Sequence, residues 1–312
     1  MKIVLFIGNP SPPLIYFVNK INERFKVDLV VVQEHHIESP KKWNAPKFSL
    51  KNAWGTFIFT FRNKKNFLLT AQHYRHRWGQ KHKEKSTKIQ EEKQVSEDII
   101  NAKRWFGDFY EKFNPDIPII RTFDNNAHEI KEKIAEIQPD VLLMHGGSIL
   151  KDDIIALSSF SLNLHWGLSP YYRGANCTEH AILNRDFNNI GVTVHRPTSL
   201  VDGGEILAQA RAEIKTPQDV RSANYQLTFL GTEMMLKALE NFDRREQFVF
   251  KAQDISLGFN FRTEHLRSIC GEGFFEKIKD DNVLNNLLKK PTRPKLPIVN
   301  FEIKNDREKP FK

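Results

Sequence analysis

The sequence predicts an α/β chain built on a Rossmann-like, doubly wound and mostly parallel sheet, carrying an inserted basic aromatic segment and a small C-terminal extension. Three observations support this. Short apolar runs of strand length recur at residues 2–8, 27–32, 117–120, 141–144, 161–165 and 191–195, and the first two flank an amphipathic stretch, which is the pattern of a βαβ unit. A length of 312 residues, 40% hydrophobic and 27% charged, suits an ordinary soluble chain with one large domain and an appendage. Between the second and third runs the alternation of strand and helix lapses, so residues 35–95 read as an insertion.

Residues 2–8 form the first strand, and Gly8-Asn9-Pro10-Ser11 turns the chain into a helix with Leu14, Phe17, Val18 and Ile21 on one side. Gly8 is a candidate substrate contact, because amides at a helix start can face a phosphate; plain turn geometry also accounts for it. This apolar run is too short for a signal peptide or a membrane span, so the expected location is cytoplasmic with no membrane partner. Val27 to Val32 completes the βαβ unit.

The formal net charge of +9 is concentrated in the insertion: residues 41–93 hold fourteen Lys and Arg against three acids. Aromatic residues are interleaved with them, and Phe57, Phe59 and Phe61 alternate as in a hairpin strand. Such a mixture can contact an anionic, aromatic partner such as a nucleotide or RNA. His73, His76 and His82 lack carboxylate or thiol neighbours, so no metal is expected. The two cysteines, Cys177 and Cys270, are too far apart in sequence to suggest a disulfide framework or a zinc ribbon.

Residues 96–113 read as a helix with Ser96 as its N-cap and Ile99, Ile100, Ala102, Trp105, Phe106 and Phe109 on its apolar side. A short strand at 117–120, a helix ending at Ile137 and the strand from Val141 follow. This strand leads into His145-Gly146-Gly147-Ser148-Ile149-Leu150, where the glycines permit close backbone approach. His145, His180 and His195 each stand alone in sequence.

In the next strand Leu162 and Leu164 face one way while Asn163 and His165 face the other. The turn-forming Gly167, Pro170 and Gly174 end the strand where this polar pair emerges, which is where open α/β sheets keep their chemistry. A further strand, Gly191 to His195, precedes a tight turn at Leu200-Val201-Asp202-Gly203-Gly204. An amide donor, an imidazole and a carboxylate could therefore meet, and that trio suits transfer of an acyl-type group to an amine. His195, flanked by Val192 and Val194, reads as a structural histidine. Arg173 is either a substrate phosphate contact or a structural arginine.

Asn163-Leu-His165, the following Gly-Leu-Ser-Pro-Tyr-Tyr-Arg-Gly174, Gly191-Val-Thr-Val-His195 and Val201-Asp202-Gly-Gly-Glu-Ile206 together resemble the signature of the folate-dependent formyltransferases. The resemblance implies transfer of a formyl group from 10-formyltetrahydrofolate, as cosubstrate and without metal, to a primary amine. By carry-over Asn163 and His165 would polarise the formyl oxygen and Asp202 would orient His165. Ser148, Ile149 and Leu150 on one side, and Thr198, Ser199, Leu200 and Val201 on the other, would hold the pterin. Members of the family are often dimers, so a homodimer is allowed. The chain departs from relatives at Trp166 and at Gly203, neither of which touches the trio.

A helix from Thr216, with Pro217 at its first position, carries Tyr225 to Leu239 onto the core and closes the catalytic domain near residue 245. Residues 246–312 form the extension, with a Pro- and Lys-rich end laid over the surface or left mobile. It lacks the alternating strands of the β-barrel that a methionyl-tRNA formyltransferase would carry. The expected acceptor is therefore a small amine, foremost an amino sugar on a nucleotide diphosphate, with nucleic acid disfavoured. Methionyl-tRNA formylation is the alternative. A hydrolase releasing formate, or a nucleic-acid-binding protein on the same scaffold, are the competing classes.

Overall fold

A computed structural model describes residues 1–34, 98–270, 280–290 and 292–304. The insertion lies outside the described residues, and with it the expected Phe57–Phe61 strand, the three histidines and the Ser96 cap.

β1 (Ile3–Ile7), α1 (Pro12–Arg24) and β2 (Leu29–Gln33) make the expected βαβ unit. Helical residues 98–106 (α2) follow the insertion, then β3 (Ile119–Thr122), α3 (His128–Ile137), β4 (Val141–His145), α4 (Asp152–Ile155) and β5 (Phe160–His165). Beyond them lie β6 (Tyr172–Gly174), α5 (Cys177–Leu183), β7 (Gly191–His195), β8 (Ile206–Arg211), α6 (Pro217–Arg221) and α7 (Ala223–Asp243). The extension contributes β9 (Phe259–Phe261), α8 (Thr263–Cys270) and α9 (Asp281–Leu288).

The main sheet has the order β3-β2-β1-β4-β5-β7-β8; the first five strands are parallel, while β7 runs antiparallel to both neighbours. Strand alternation divides the interior into two faces. Ile3, Leu5 and Ile7 join Phe17, Leu162, Leu164 and the apolar side of α7, whereas Val4 and Phe6 join Ile130, Ile134 and Leu150. Central strands buried on both faces read as continuous apolar runs, which is why they are visible in the sequence.

Strand order reverses between β1 and β4. Loops at the carboxyl ends of the two strands diverge there and leave a crevice, the usual ligand position in such sheets. Gly8 closes against this junction: its N–H donates to His145 O at 3.3 Å, and a Cβ on it would press on the Gly147 amide.

Three local expectations need correction. Helical residues end at 106, where Gly107 takes φ +59°, a left-handed stop typical of a C-terminal glycine. Ile99 and Ile100, expected on the apolar side, are exposed, while Ala102 and Phe106 pack on Tyr16 and Tyr225. The helix from Pro217 is broken at Ser222, giving α6 and α7; Pro217 stands at the first position as expected, and Thr216 caps the helix in a box with Asp219. Strand β8 has no counterpart among the sequence expectations, because its small alanines carry little alternation.

The described part of the extension does not form a core of its own. Phe261 and Leu284 are buried in the same core as β1 and β5, and β9 pairs in parallel with β6. The tail runs along β8, with Gln209 N–H donating to Val299 O at 2.8 Å and Val299 N–H to Gln209 Oε1 at 3.0 Å, so it covers an otherwise open sheet edge. Gly174 is the contact point between β6 and β9. It has φ +89°, and a Cβ would overlap Phe261 O. Gly174→Ala is expected to cost at least about 1–3 kcal/mol of stability, measured by denaturant unfolding; an unchanged midpoint would show that the β6–β9 pairing contributes nothing.

Candidate active site

The crevice is a cleft of about 780 Å³. Asn163 and His165 reach it from the end of β5, because the two residues share the face of the strand opposite Leu162 and Leu164. Asp202 reaches it from the turn after β7, with φ +45°. His165 Nδ1 lies 3.3 Å from Asp202 Oδ2, and Asn163 Nδ2 donates to Asp202 Oδ1 at 3.3 Å. The Gly174 N–H donates to Asp202 Oδ2 at 2.8 Å. Residues 39 positions apart in sequence thus make one hydrogen-bonded group.

His195 belongs to the same group, which the sequence reading missed. The antiparallel register sets Asn163 opposite His195, so Asn163 Nδ2 donates to His195 Nε2 at 3.0 Å and that nitrogen is 3.4 Å from Asp202 Oδ1. His195 Nδ1 faces Arg196 O at 2.8 Å, which fixes the proton on Nδ1 and leaves Nε2 as the acceptor. The signal was present as a histidine ending a strand of the same motif, but only the pairing register shows which residue it faces.

Electrostatics keep the two partners in different states. Burial pushes the Asp202 carboxyl up, but His165 and the Gly174 N–H are among the groups that outweigh it and hold the carboxyl well below the usual carboxylate range. Burial lowers the His165 pKa, and Asp202 and the Tyr172 carbonyl offset only part of that. His165 faces an acceptor on each nitrogen, Asp202 Oδ2 at 3.3 Å from Nδ1 and Tyr172 O at 3.0 Å from Nε2. A neutral imidazole has one proton for these two acceptors and keeps a lone pair on the other nitrogen, while the imidazolium satisfies both. Burial also keeps the Cys177 thiol protonated, donating to Gly174 O.

Of the residues expected to hold the pterin, Ser148, Ile149, Leu150, Thr198, Leu200 and Val201 line the cleft and Ser199 does not. Gly146 and Gly147 both have positive φ, and Ser148 N–H is tied to Gln33 Oε1 at 2.6 Å. His145 Nε2 and Ser148 Oγ are buried without partners. Neither expected substrate contact lines the cleft. Gly8 lies against the Gly146–Gly147 backbone, while Ser11 and Leu14 of the following segment form the wall. Arg173 is buried and donates to the carbonyls of Pro170, Val201 and Ile255 at 3.4, 3.2 and 3.5 Å.

Sequence reasoning did not find the opposite wall. Asn176, Glu179 and Asn224 line it together with Asn260 to Glu264 of the extension. Thr178 Oγ1 donates to Asn224 Oδ1 at 2.6 Å, which turns the Asn224 amide nitrogen toward Glu179. Burial raises the Glu179 carboxyl pKa. Among the described residues no group of His, Cys, Asp and Glu is arranged to hold a metal ion, and no helix is long and apolar enough to cross a membrane.

The methionyl-tRNA formyltransferase of a Nitratiruptor species is 33% identical over 131 residues, 42% of this chain and 43% of that protein. The chain thus spans less than half the length of this curated relative. Glycinamide ribonucleotide transformylase 1 from Symbiobacterium toebii aligns with a TM-score of 0.47 at 14% identity, covering 81% of this chain and 94% of that one. The N-formyltransferase from Helicobacter canadensis, solved with folinic acid and dTDP-3-aminofucose, aligns with a TM-score of 0.45 at 14% identity over 85% and 72%. A family model described as formyl transferase matches residues 63–239, which is more than half of the chain and spans Asn163, His165, His195 and Asp202: the chain belongs to the formyl transferase family.

Proposed function

We propose that the protein moves a formyl group from 10-formyltetrahydrofolate to the primary amine of a small molecule, foremost a nucleotide-linked amino sugar. The observation that carries this reading is the meeting of Asn163, His165 and Asp202 at one cleft.

The cleft walls fit a flat heterocyclic donor. Positive φ at Gly146 and Gly147 brings backbone within reach of a ring, the side chains of Ile149 and Leu200 are exposed, and His145 Nε2 and Ser148 Oγ offer partnerless polar atoms. The donor supplies an activated formyl carbon. Asn163 holds its amide where a carbonyl oxygen gaining negative charge can take over one N–H, the 3.3 Å contact to Asp202 being the weaker of its two bonds. Neutral His165 takes the proton that the attacking amine must lose and returns it to the donor nitrogen as the bond from that nitrogen to the formyl carbon breaks and tetrahydrofolate leaves; between the two steps the imidazolium is met by Asp202 on one side and Tyr172 O on the other. Glu179, desolvated and hydrogen-bonded to Asn224, gives the opposite wall an acidic group suited to an amine or to sugar hydroxyls.

Formylation of methionyl-tRNA is the second reading, kept by the relatives of that name and by the basic insertion. A thermal-shift series with folinic acid, dTDP-linked amino sugars and tRNA separates the two, since a ligand of the folded state alone raises its melting temperature. Stabilisation by folinic acid and by a dTDP-amino sugar is expected; stabilisation by tRNA and by no nucleotide sugar would replace the first reading with the second.

A further inference from the structure

The family match ends at residue 239, yet the turn that carries Asp202 is tied down from beyond it. Gln253 Nε2 donates to Asp202 O at 3.1 Å and also to Gly204 O, so one amide group holds both ends of the three-residue turn. Its own carbonyl oxygen, Oε1, is buried without a partner. Leaving an acceptor unpaired is costly, and an apolar side chain of the same length would fill the space without that cost. What the amide adds is the pair of donated hydrogen bonds.

Those bonds act on a backbone that needs them. Asp202 sits at φ +45°, a conformation that non-glycine residues keep only when the surroundings over-determine it. Arg173 holds the same turn from the other side, donating to Val201 O, and also reaches Ile255 O two residues past Gln253. The Gly174 N–H that binds the Asp202 carboxylate belongs to β6, which pairs with β9. Both the backbone and the carboxylate of Asp202 are therefore braced by residues 253–261.

We propose that Gln253 is a positioning residue for Asp202, which makes the C-terminal extension part of the catalytic apparatus. This rests on the reading of Asp202 as the partner of His165 given above. The removal that tests it is Gln253→Met, which keeps the length of the side chain and deletes both donors. The readout is the titration of His165, followed by NMR of its imidazole: Asp202 raises the His165 pKa, so a carboxylate no longer held at 3.3 Å raises it less. The expected result is a midpoint lower by about one pH unit, with the fold retained by circular dichroism. An unchanged midpoint in a folded Gln253→Met overturns the proposal. A measurement on the unaltered chain covers a variant that does not fold: the side-chain amide protons of Gln253 are expected to exchange with solvent at least tenfold more slowly than those of a free glutamine amide, and exchange at the free rate overturns the proposal. If Asp202→Asn leaves formyl transfer intact, the reading of the site fails, while the His165 titration still reports whether Gln253 holds the turn.

Discussion

Asn163→Ala is expected to lower formyl transfer ~10²–10³-fold, the usual effect of removing one preorganised oxyanion donor. The amide sits at the centre of the polar group, bonded to His195 Nε2 at 3.0 Å and Asp202 Oδ1 at 3.3 Å. Its loss therefore removes a donor to the reacting oxygen and also frees two acceptors. Asp202 keeps the Gly174 N–H and His165, so the carboxylate remains bound. Asn163 is only half-buried, and water can satisfy what the amide leaves, so a melting temperature within a few degrees of the parent is expected. Steady-state transfer with the acceptor found in the thermal-shift series, together with a thermal melt, checks both parts. Near-full transfer in Asn163→Ala, His165→Ala and Asp202→Ala would overturn the mechanism as a whole.

Stability is expected to fall steeply with acidification between pH 6.5 and 3, and His145 is a main cause. Burial holds its imidazole neutral, with a pKa lowered to about 3, and Leu164 O offsets only part of this. In the unfolded chain the same imidazole titrates near 6.5. The unfolded state therefore binds a proton that the folded state refuses throughout this window, and stability declines as pH falls through it. Each pH unit between the two pKa values is worth about 1.4 kcal/mol, so His145 alone removes several kcal/mol by pH 3. His180, lowered by burial to about 3, acts in the same direction. Asp202 adds its own loss as the pH falls below its ordinary value, because its carboxyl is held low, while Glu179, held high, gains stability as the pH falls toward its ordinary value and so opposes the histidines in that higher window. His145→Leu should flatten the profile, since Leu keeps apolar contact with Phe17 and Trp166, whose rings meet the imidazole edge-on at 5.3 and 5.1 Å, and cannot take a proton. Urea unfolding across pH 3.5–7 measures the slope; equal slopes in the two proteins would remove His145 from the account.

The strands and the polar trio are legible in the amino-acid sequence. Central parallel strands are buried on both faces, so β1, β2 and β4 appear as nearly continuous apolar runs, and the two-residue period of β5 puts Asn163 and His165 on one face wherever the strand lies. The turn at Asp202 is equally local, because Gly203 and Gly204 mark it.

What faces the trio is settled by the fold alone. His195 enters it because β5 and β7 pair antiparallel in one particular register, and a slip of one residue would send it to the other face. Arg173 is set among three carbonyls by the fold, an environment that nothing in its local sequence encodes. Gln253 and the wall from Asn260 to Glu264 come from a segment with no local signature of function. Gln253 meets the turn at Asp202, and residues 260–264 reach the cleft where β9 adds to β6, a long-range pairing of Tyr172 with Phe259 that no local periodicity encodes. Local pattern records what each residue prefers, whereas the site depends on pairings between distant segments, and those are fixed only when the sheet closes.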